Sequence, residues 1–181
     1  MCFVAYELSI KPEIQRKLQE EVDSVMEETN GQLTYEAVSD MKYLDAVINE
    51  ALRMYPVNVF IDRICQKNFE IPSALPGGKP FVVEKGTGIW LPFYSIHRDP
   101  QYYDNPNTFD PDRFMNDGKR ILNSGVYMPF GFGPRNCIGN RFALLEVKVL
   151  ICLAFPSSVE SYQVEQYLVR HEPLSWSRLD P

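Results

Sequence analysis

The sequence is poor in the residues that mark several large protein classes. Histidine occurs only at His97 and His171, and cysteine only at Cys2, Cys65, Cys137 and Cys152. No cysteine belongs to a CxxC pair and the histidines stand far apart, a spacing that speaks against a structural zinc site. Four cysteines in 181 residues are too few for a disulfide scaffold, so a reducing compartment is expected. Positive charge is scarce, with 18 Lys and Arg against 24 Asp and Glu and a net charge of -6. A nucleic-acid partner needs clustered cations to neutralise phosphates, and no basic stripe exists here. There is no apolar run of about 18 residues, the length that spans a bilayer. Met1 to Ile10 lacks the basic flank and small-residue cleavage site of a signal peptide. It reads instead as the apolar end of a helix whose beginning is missing.

What is present suits a folded domain: 45% hydrophobic and 23% charged residues, enough to bury a core. Pro12 fits the first turn of a helix, and Ile14, Leu18, Val22, Val25 and Met26 recur at helical spacing up to a stop before Gly31. Thr34 is placed to cap a short turn over Tyr35 to Ser39. A stronger helix is expected from about Met41 to Tyr55, with Leu44, Val47, Ile48, Ala51, Leu52 and Tyr55 as its stripe and Pro56 as its stop. The stretches 57–64 and 88–93 are β-branched and aromatic and read as strands, separated by proline and glycine turns. From Tyr94 to Pro129 the prolines at 100, 106, 111 and 129 predict an extended, irregular segment held by side chains. The last helix, about Asn140 to Phe155, is apolar on nearly every face and is expected to be buried.

Residues 129–139 read Pro-Phe-Gly-Phe-Gly-Pro-Arg-Asn-Cys-Ile-Gly. Glycine and proline fix a tight turn whose backbone can approach something flat. Cys137 lies just before the start of the apolar helix, where unpaired N–H groups and the positive dipole end favour a thiolate. Arg135 adds a cation nearby. Such a thiolate can serve as nucleophile, redox sensor or metal ligand, and the plain alternative is a structural cysteine in a turn. A dinucleotide loop is excluded, because Asn136 stands where the third glycine belongs. Neither histidine has local support as a base for a nucleophilic cysteine.

This string resembles the haem-binding pattern Phe-x-x-Gly-x-Arg-x-Cys-x-Gly of cytochromes P450 at each fixed position: Phe130, Gly133, Arg135, Cys137 and Gly139. The resemblance implies Cys137 as the proximal thiolate and only metal ligand of a haem b (iron protoporphyrin IX). It implies Phe130 packed on the haem face, Arg135 paired with a propionate, and Gly133 and Gly139 admitting the backbone to the porphyrin. Glu50 and Arg53, three residues apart on the Met41–Tyr55 helix, share a face opposite the apolar stripe. Taken alone, such a pair is usually a solvated contact. Asp110-Pro-Asp-Arg-Phe114 resembles the family's Pro-x-Arg-Phe element, with Asp112 where glutamate is common. Arg113 would then join Glu50 and Arg53 in a buried structural triad. Arg63 is a second propionate candidate, against an edge-strand arginine in solvent. Val57, Asn58, Val59, Phe60 and Ile61 are substrate-contact candidates, or plain strand core. His97-Arg-Asp-Pro100 looks like a family structural turn, and His97 is not read as a ligand.

The implied fold is mainly α with a small β-sheet, the C-terminal part of the cytochrome P450 fold and incomplete. Residues 1–155 carry the resemblance, and 156–181 form an atypical tail. The nearest likeness is to animal microsomal members of the clan holding vertebrate family three and insect family nine, with the 72–80 insert leaning to the insect side. The implied function is haem-thiolate monooxygenation of a lipophilic small molecule. It uses molecular oxygen and electrons from NADPH through NADPH-cytochrome P450 reductase. No catalytic residue besides the haem ligand is expected within this chain, and the chain alone is expected to be inactive. The alternatives are a catalytically dead haem-binding or interaction fragment and a helical module without cofactor. A full-length family member would sit on the cytoplasmic face of the endoplasmic reticulum membrane, and no anchor is read in this chain.

Overall fold

The computed structural model describes residues 1–116 and 118–155, which form eight α-helices and two small antiparallel sheets. Helix α1 spans Cys2–Ile10 and α2 Pro12–Glu28, with Pro12 at the first turn of α2. Ile14, Leu18 and Val22 face the core, and the helix runs out before Gly31, whose φ of 80° suits glycine. In α3, Tyr35–Asp40, the Thr34 hydroxyl accepts the Ala37 N–H at 3.2 Å.

Helix α4, Lys42–Met54, is the centre of the molecule. Its own N-cap residue, Met41, offers no side-chain acceptor. The deficit is met from α2: the Glu21 carboxylate accepts the N–H groups of Tyr43 at 2.9 Å and Leu44 at 2.8 Å. An anion there also complements the positive end of the helix dipole. Leu44, Val47, Ile48 and Ala51 pack with Leu8, Leu18, Val22 and Ile151 into the larger core cluster. A smaller cluster joins Ala46 to Tyr103, Phe114, Ile121 and Tyr127. Helix α1 is tied to α4 by the buried Glu7, which accepts the Tyr55 hydroxyl and pairs with Lys11.

Strand β1, Ile61–Ile64, pairs antiparallel with β4, Gly88–Leu91, in the register Ile61 to Leu91 and Ile64 to Gly88. Strand β2, Phe69–Ile71, pairs with β3, Phe81–Val83, inside the stretch read above as turns alone. Two strand expectations are corrected here. Residues 57–60 lie outside β1, and Phe93 opens the short helix α5, Phe93–Ile96, instead of ending a strand. The irregular segment also holds α6, Asp112–Asn116, and α7, Gly118–Asn123.

Helix α8, Asn140–Ala154, corrects a third expectation. It buries only Lys148, Ile151 and Cys152, while Phe142 and Leu153 are exposed. It packs on α3 and α4 with one face, and nothing among the described residues covers the others. On the buried face Lys148 Nζ donates to Val38 O at 3.1 Å and pairs with Asp45 at 2.8 Å. Among the described residues no helix is long and apolar enough to cross a membrane. The tail 156–181 lies outside the described residues.

Candidate functional site

Glu50 and Arg53 emerge from adjacent turns of α4 into its second buried face, and both are 0% exposed. The apolar stripe thus has a charged counterpart that is as deeply buried as the core. A guanidinium carries five N–H donors in a planar fork. At Arg53 all are used. Nε and Nη2 grip Glu50 at 2.7 and 2.8 Å. Nη1 donates to the carbonyls of His97 and Pro106, each at 2.8 Å, and Nη2 also reaches Thr108 O at 3.3 Å. The Tyr103 ring lies 5.3 Å from the guanidinium carbon. Glu50 further accepts the Asp110 N–H at 2.9 Å. One buried ion pair thereby fastens the irregular chain from 97 to 110, which has no ladder of its own.

Arg113 stands beside this pair, with Nε 3.5 Å from Glu50 Oε2. That is close enough for charge attraction, but Nε makes no hydrogen bond. The structure therefore brings the three residues together as one fully bonded pair and one ionic neighbour. A groove of about 500 Å³ opens beyond Arg113, lined by Lys17, Tyr43, Asp110 and Asp112. Its charges answer one another, Lys17 lying 3.1 Å from Asp112.

The cysteine loop is built differently. Gly131 and Gly133 adopt φ of 84° and 78°, conformations that favour glycine. Gly133–Arg135 forms a short 3-10 turn. The turn is closed by Gly131 N–H to Met128 O at 3.0 Å and Cys137 N–H to Phe130 O at 2.8 Å. Cys137 and Arg135 are exposed, and Phe130 is half-buried. Phe132, Ile138 and Phe142 are also exposed, giving the loop and the start of α8 an open apolar surface around the thiol. No atom lies within 4 Å of where a Cβ would stand on Gly133 or Gly139, so a flat group has room against the backbone.

Ile61 joins the sheet to this loop: its Cδ1 is 3.9 Å from the position a Cβ would take on Gly131. Side chains alternate along a strand, so Arg63 projects to the same face of β1 as Ile61. Arg63 as a residue is half-buried, and its guanidinium makes an exposed bond to Asp62 O at 2.7 Å. Val57, Asn58, Val59 and Phe60 are exposed, with Phe60 stacked on Trp90 at 4.7 Å. Sequence reasoning passed over His97 as an interaction partner. It is fully buried, and its Nε2 accepts the Met128 N–H at 3.1 Å. The flanking Arg98 and Asp99 gave no sign of this burial, and Nδ1 finds no hydrogen-bond partner among the described residues.

Comparison with known proteins decides the family. The model of the cytochrome P450 family matches residues 1–165. The chain belongs to that family. Cytochrome P450 9e2 of Blattella germanica is 48% identical over 151 residues, 83% of this chain and 28% of the relative. Probable cytochrome P450 9f2 of Drosophila melanogaster is 47% identical over 152 residues, again 83% of this chain, and 29% of the relative. Cytochrome P450 3A25 of Mus musculus is 39% identical over 175 residues, 97% of this chain and 32% of the relative. The chain thus spans about a third of the length of these P450 relatives. Insect family nine and mammalian family three are both represented, as the sequence likeness suggested.

A P450 implies haem, and the residues present fit one. The donor set is a lone soft sulfur, which suits a metal whose other ligands come from a porphyrin. Among the described residues no group of three His, Cys, Asp or Glu competes for a metal. The open backbone at Gly133 and Gly139 and the apolar rim of Phe132, Ile138 and Phe142 match a flat, greasy ring system.

Proposed function

We propose that this chain supplies the proximal haem-binding half-shell of a monooxygenase that inserts one oxygen atom into a lipophilic small molecule. The observation that carries the reading is the exposed Cys137 thiol, set in a glycine-shaped turn on an apolar surface. Haem, when bound, supplies the oxygen chemistry, and a thiolate ligand favours O–O cleavage. This chain's own residues have three tasks. Cys137 donates its sulfur from just before the first turn of α8. Arg135 and Arg63 supply cations for the propionates, Arg135 from the loop and Arg63 from the strand beside it. Phe130 packs against the ring, and Gly133 and Gly139 leave it space. The exposed segment Val57 to Phe60, with Ile61, lines the substrate side. Residues 1–155 form this unit, and 156–181, outside the described residues, are an atypical tail.

The P450 reading also proposes molecular oxygen as co-substrate and NADPH-cytochrome P450 reductase as electron donor. The complete protein acts at the cytoplasmic face of the endoplasmic reticulum. In its complete haem-loaded form, ferrous protein with carbon monoxide should show the red-shifted Soret band of thiolate ligation. Cys137→Ala should abolish that band, while Cys65→Ala and Cys152→Ala should keep it. A band that survives Cys137→Ala and disappears with either of the others removes the assignment.

A further inference from the structure

Met128 is where the irregular segment becomes the cysteine loop, and its N–H is taken by a side chain. It donates to His97 Nε2 at 3.1 Å. The His97 carbonyl in turn accepts Arg53 Nη1 at 2.8 Å, and Arg53 is locked to Glu50. The path continues beyond Met128: its carbonyl accepts the Gly131 N–H, and Phe130 O accepts the Cys137 N–H. Among the described residues, no other side chain hydrogen-bonds to the stretch 128–139.

We infer that His97 is a positioning residue that suspends the Cys137 loop from the Glu50–Arg53 anchor of α4. The inference rests on the haem-ligand reading of Cys137 and extends it to how the sulfur is held. Three features suit the ring to this task. It is fully buried, with the rings of Phe93 and Tyr127 stacked near it at 6.2 and 5.6 Å, so it has little freedom to turn. Accepting from Met128 requires an unprotonated Nε2, and burial lowers the imidazole to about 4, so the acceptor persists at neutral pH. A second strap lies next to it: the Tyr127 hydroxyl reaches Asn49 Oδ1 at 2.8 Å, one turn before Arg53 on α4. The loop entry is therefore referenced twice to a single rigid helix. Without the imidazole acceptor, the entry can drift and the thiolate bond loses its fixed geometry.

The test uses the complete haem-loaded protein and three variants. His97→Phe and His97→Leu remove the acceptor, and His97→Phe keeps the ring stack. His97→Gln places an amide oxygen near the Nε2 position. Two quantities are read: hydrogen exchange over 128–137, and the fraction of ferrous carbon monoxide complex with the red-shifted thiolate band. His97→Phe should exchange roughly tenfold faster, the effect of one lost hydrogen bond, and pass a large part of its band to the thiol-ligated form. His97→Gln should stay within about twofold of wild type, since it retains that bond. Wild-type behaviour of His97→Phe in both measurements overturns the inference, and so does equal damage in His97→Gln. If both apolar variants fail to load haem, His97→Gln decides: a wild-type band supports suspension and its loss overturns it. A red-shifted band that survives Cys137→Ala would instead remove the haem-ligand reading, while exchange at 128–131 would still judge the suspension.

Discussion

The Glu50–Arg53 anchor and the Cys137 loop sit a short chain of hydrogen bonds apart and follow opposite rules. At the anchor every donor is used, every charge is buried, and three carbonyls of an irregular segment are fixed by one side chain. At the loop the decisive side chains point outward, the backbone is bent by glycines, and one imidazole supplies the side-chain bond. The anchor is complete in itself. The loop is shaped but unfinished, as suits a surface meant to meet something else. Rigidity is borrowed from the first by the second, and each variant below probes one side of that loan.

The largest effect is expected at the anchor. Glu50→Ala leaves Arg53 buried with a positive charge and no anion, and deprives Asp110 N–H of its acceptor. Breaking a buried pair in this way costs about 3–5 kcal/mol, a large share of a domain's stability. Haem yield of the complete protein should fall sharply, whereas Glu20→Ala, in an exposed pair with Arg16, should change little. Equal yields for the two variants would mean the anchor does not hold the segment.

Much of this contrast was legible in the sequence, and the parts that were not share a cause. The helices α2, α3 and α4 followed from periodicity, Thr34 and the prolines, because those signals are local. The loop was legible because glycine, proline and cysteine at fixed spacing leave few backbone shapes. Burial was not legible where it depends on distant chain. By charge alone the Glu50–Arg53 pair is a solvated contact, and only the family resemblance implied its burial, because the carbonyls that satisfy Arg53 come from residues 97, 106 and 108. Conversely, α8 read as buried by its apolar composition, yet only one face finds a partner among the described residues. The cap of α4 came from Glu21, more than twenty residues upstream, and left no mark in the sequence around Met41.

The link between the two regions should carry a pH signature. His97 in the folded chain is lowered by burial to about 4, against 6.5 for a free imidazole; its hydrogen bond with Arg53 opposes the shift and the Arg53 charge adds to it. Between those values the unfolded chain binds a proton that the folded chain refuses. Stability should therefore be full above about pH 6.5 and fall as pH drops toward 4. Each pH unit in that window costs about 1.4 kcal/mol, close to 3 kcal/mol in total. The groups facing the ring are the Arg53 cation and Tyr127, whose hydroxyl is raised well above its usual range and stays neutral throughout. The informative quantity is the difference between wild type and His97→Gln in denaturant midpoints from pH 4 to 7. The two should lie close together near pH 7, and His97→Gln should become the more stable as pH falls toward 4; a constant offset would show that His97 does not titrate as described.

The smallest effect belongs to the loop itself. Gly133 has a φ of 78° with no atom within 4 Å of a prospective Cβ, so an added methyl meets no obstruction in this chain. Any cost of Gly133→Ala in the haem-free protein is backbone strain, about 1–2 kcal/mol for an L-residue on the left-handed side. Asparagine tolerates that region better than alanine because its short polar side chain bonds locally. Gly133→Asn should therefore recover part of the loss despite being larger. Haem reverses the order of the two variants if the ring lies against this backbone, because size then matters more than φ. Hydrogen exchange over 130–137 without haem should rank wild type, Asn, Ala from slowest to fastest. Haem retention should rank wild type, Ala, Asn from strongest to weakest. The same ranking in both measurements would mean that Gly133 serves the turn alone and leaves no space that haem uses.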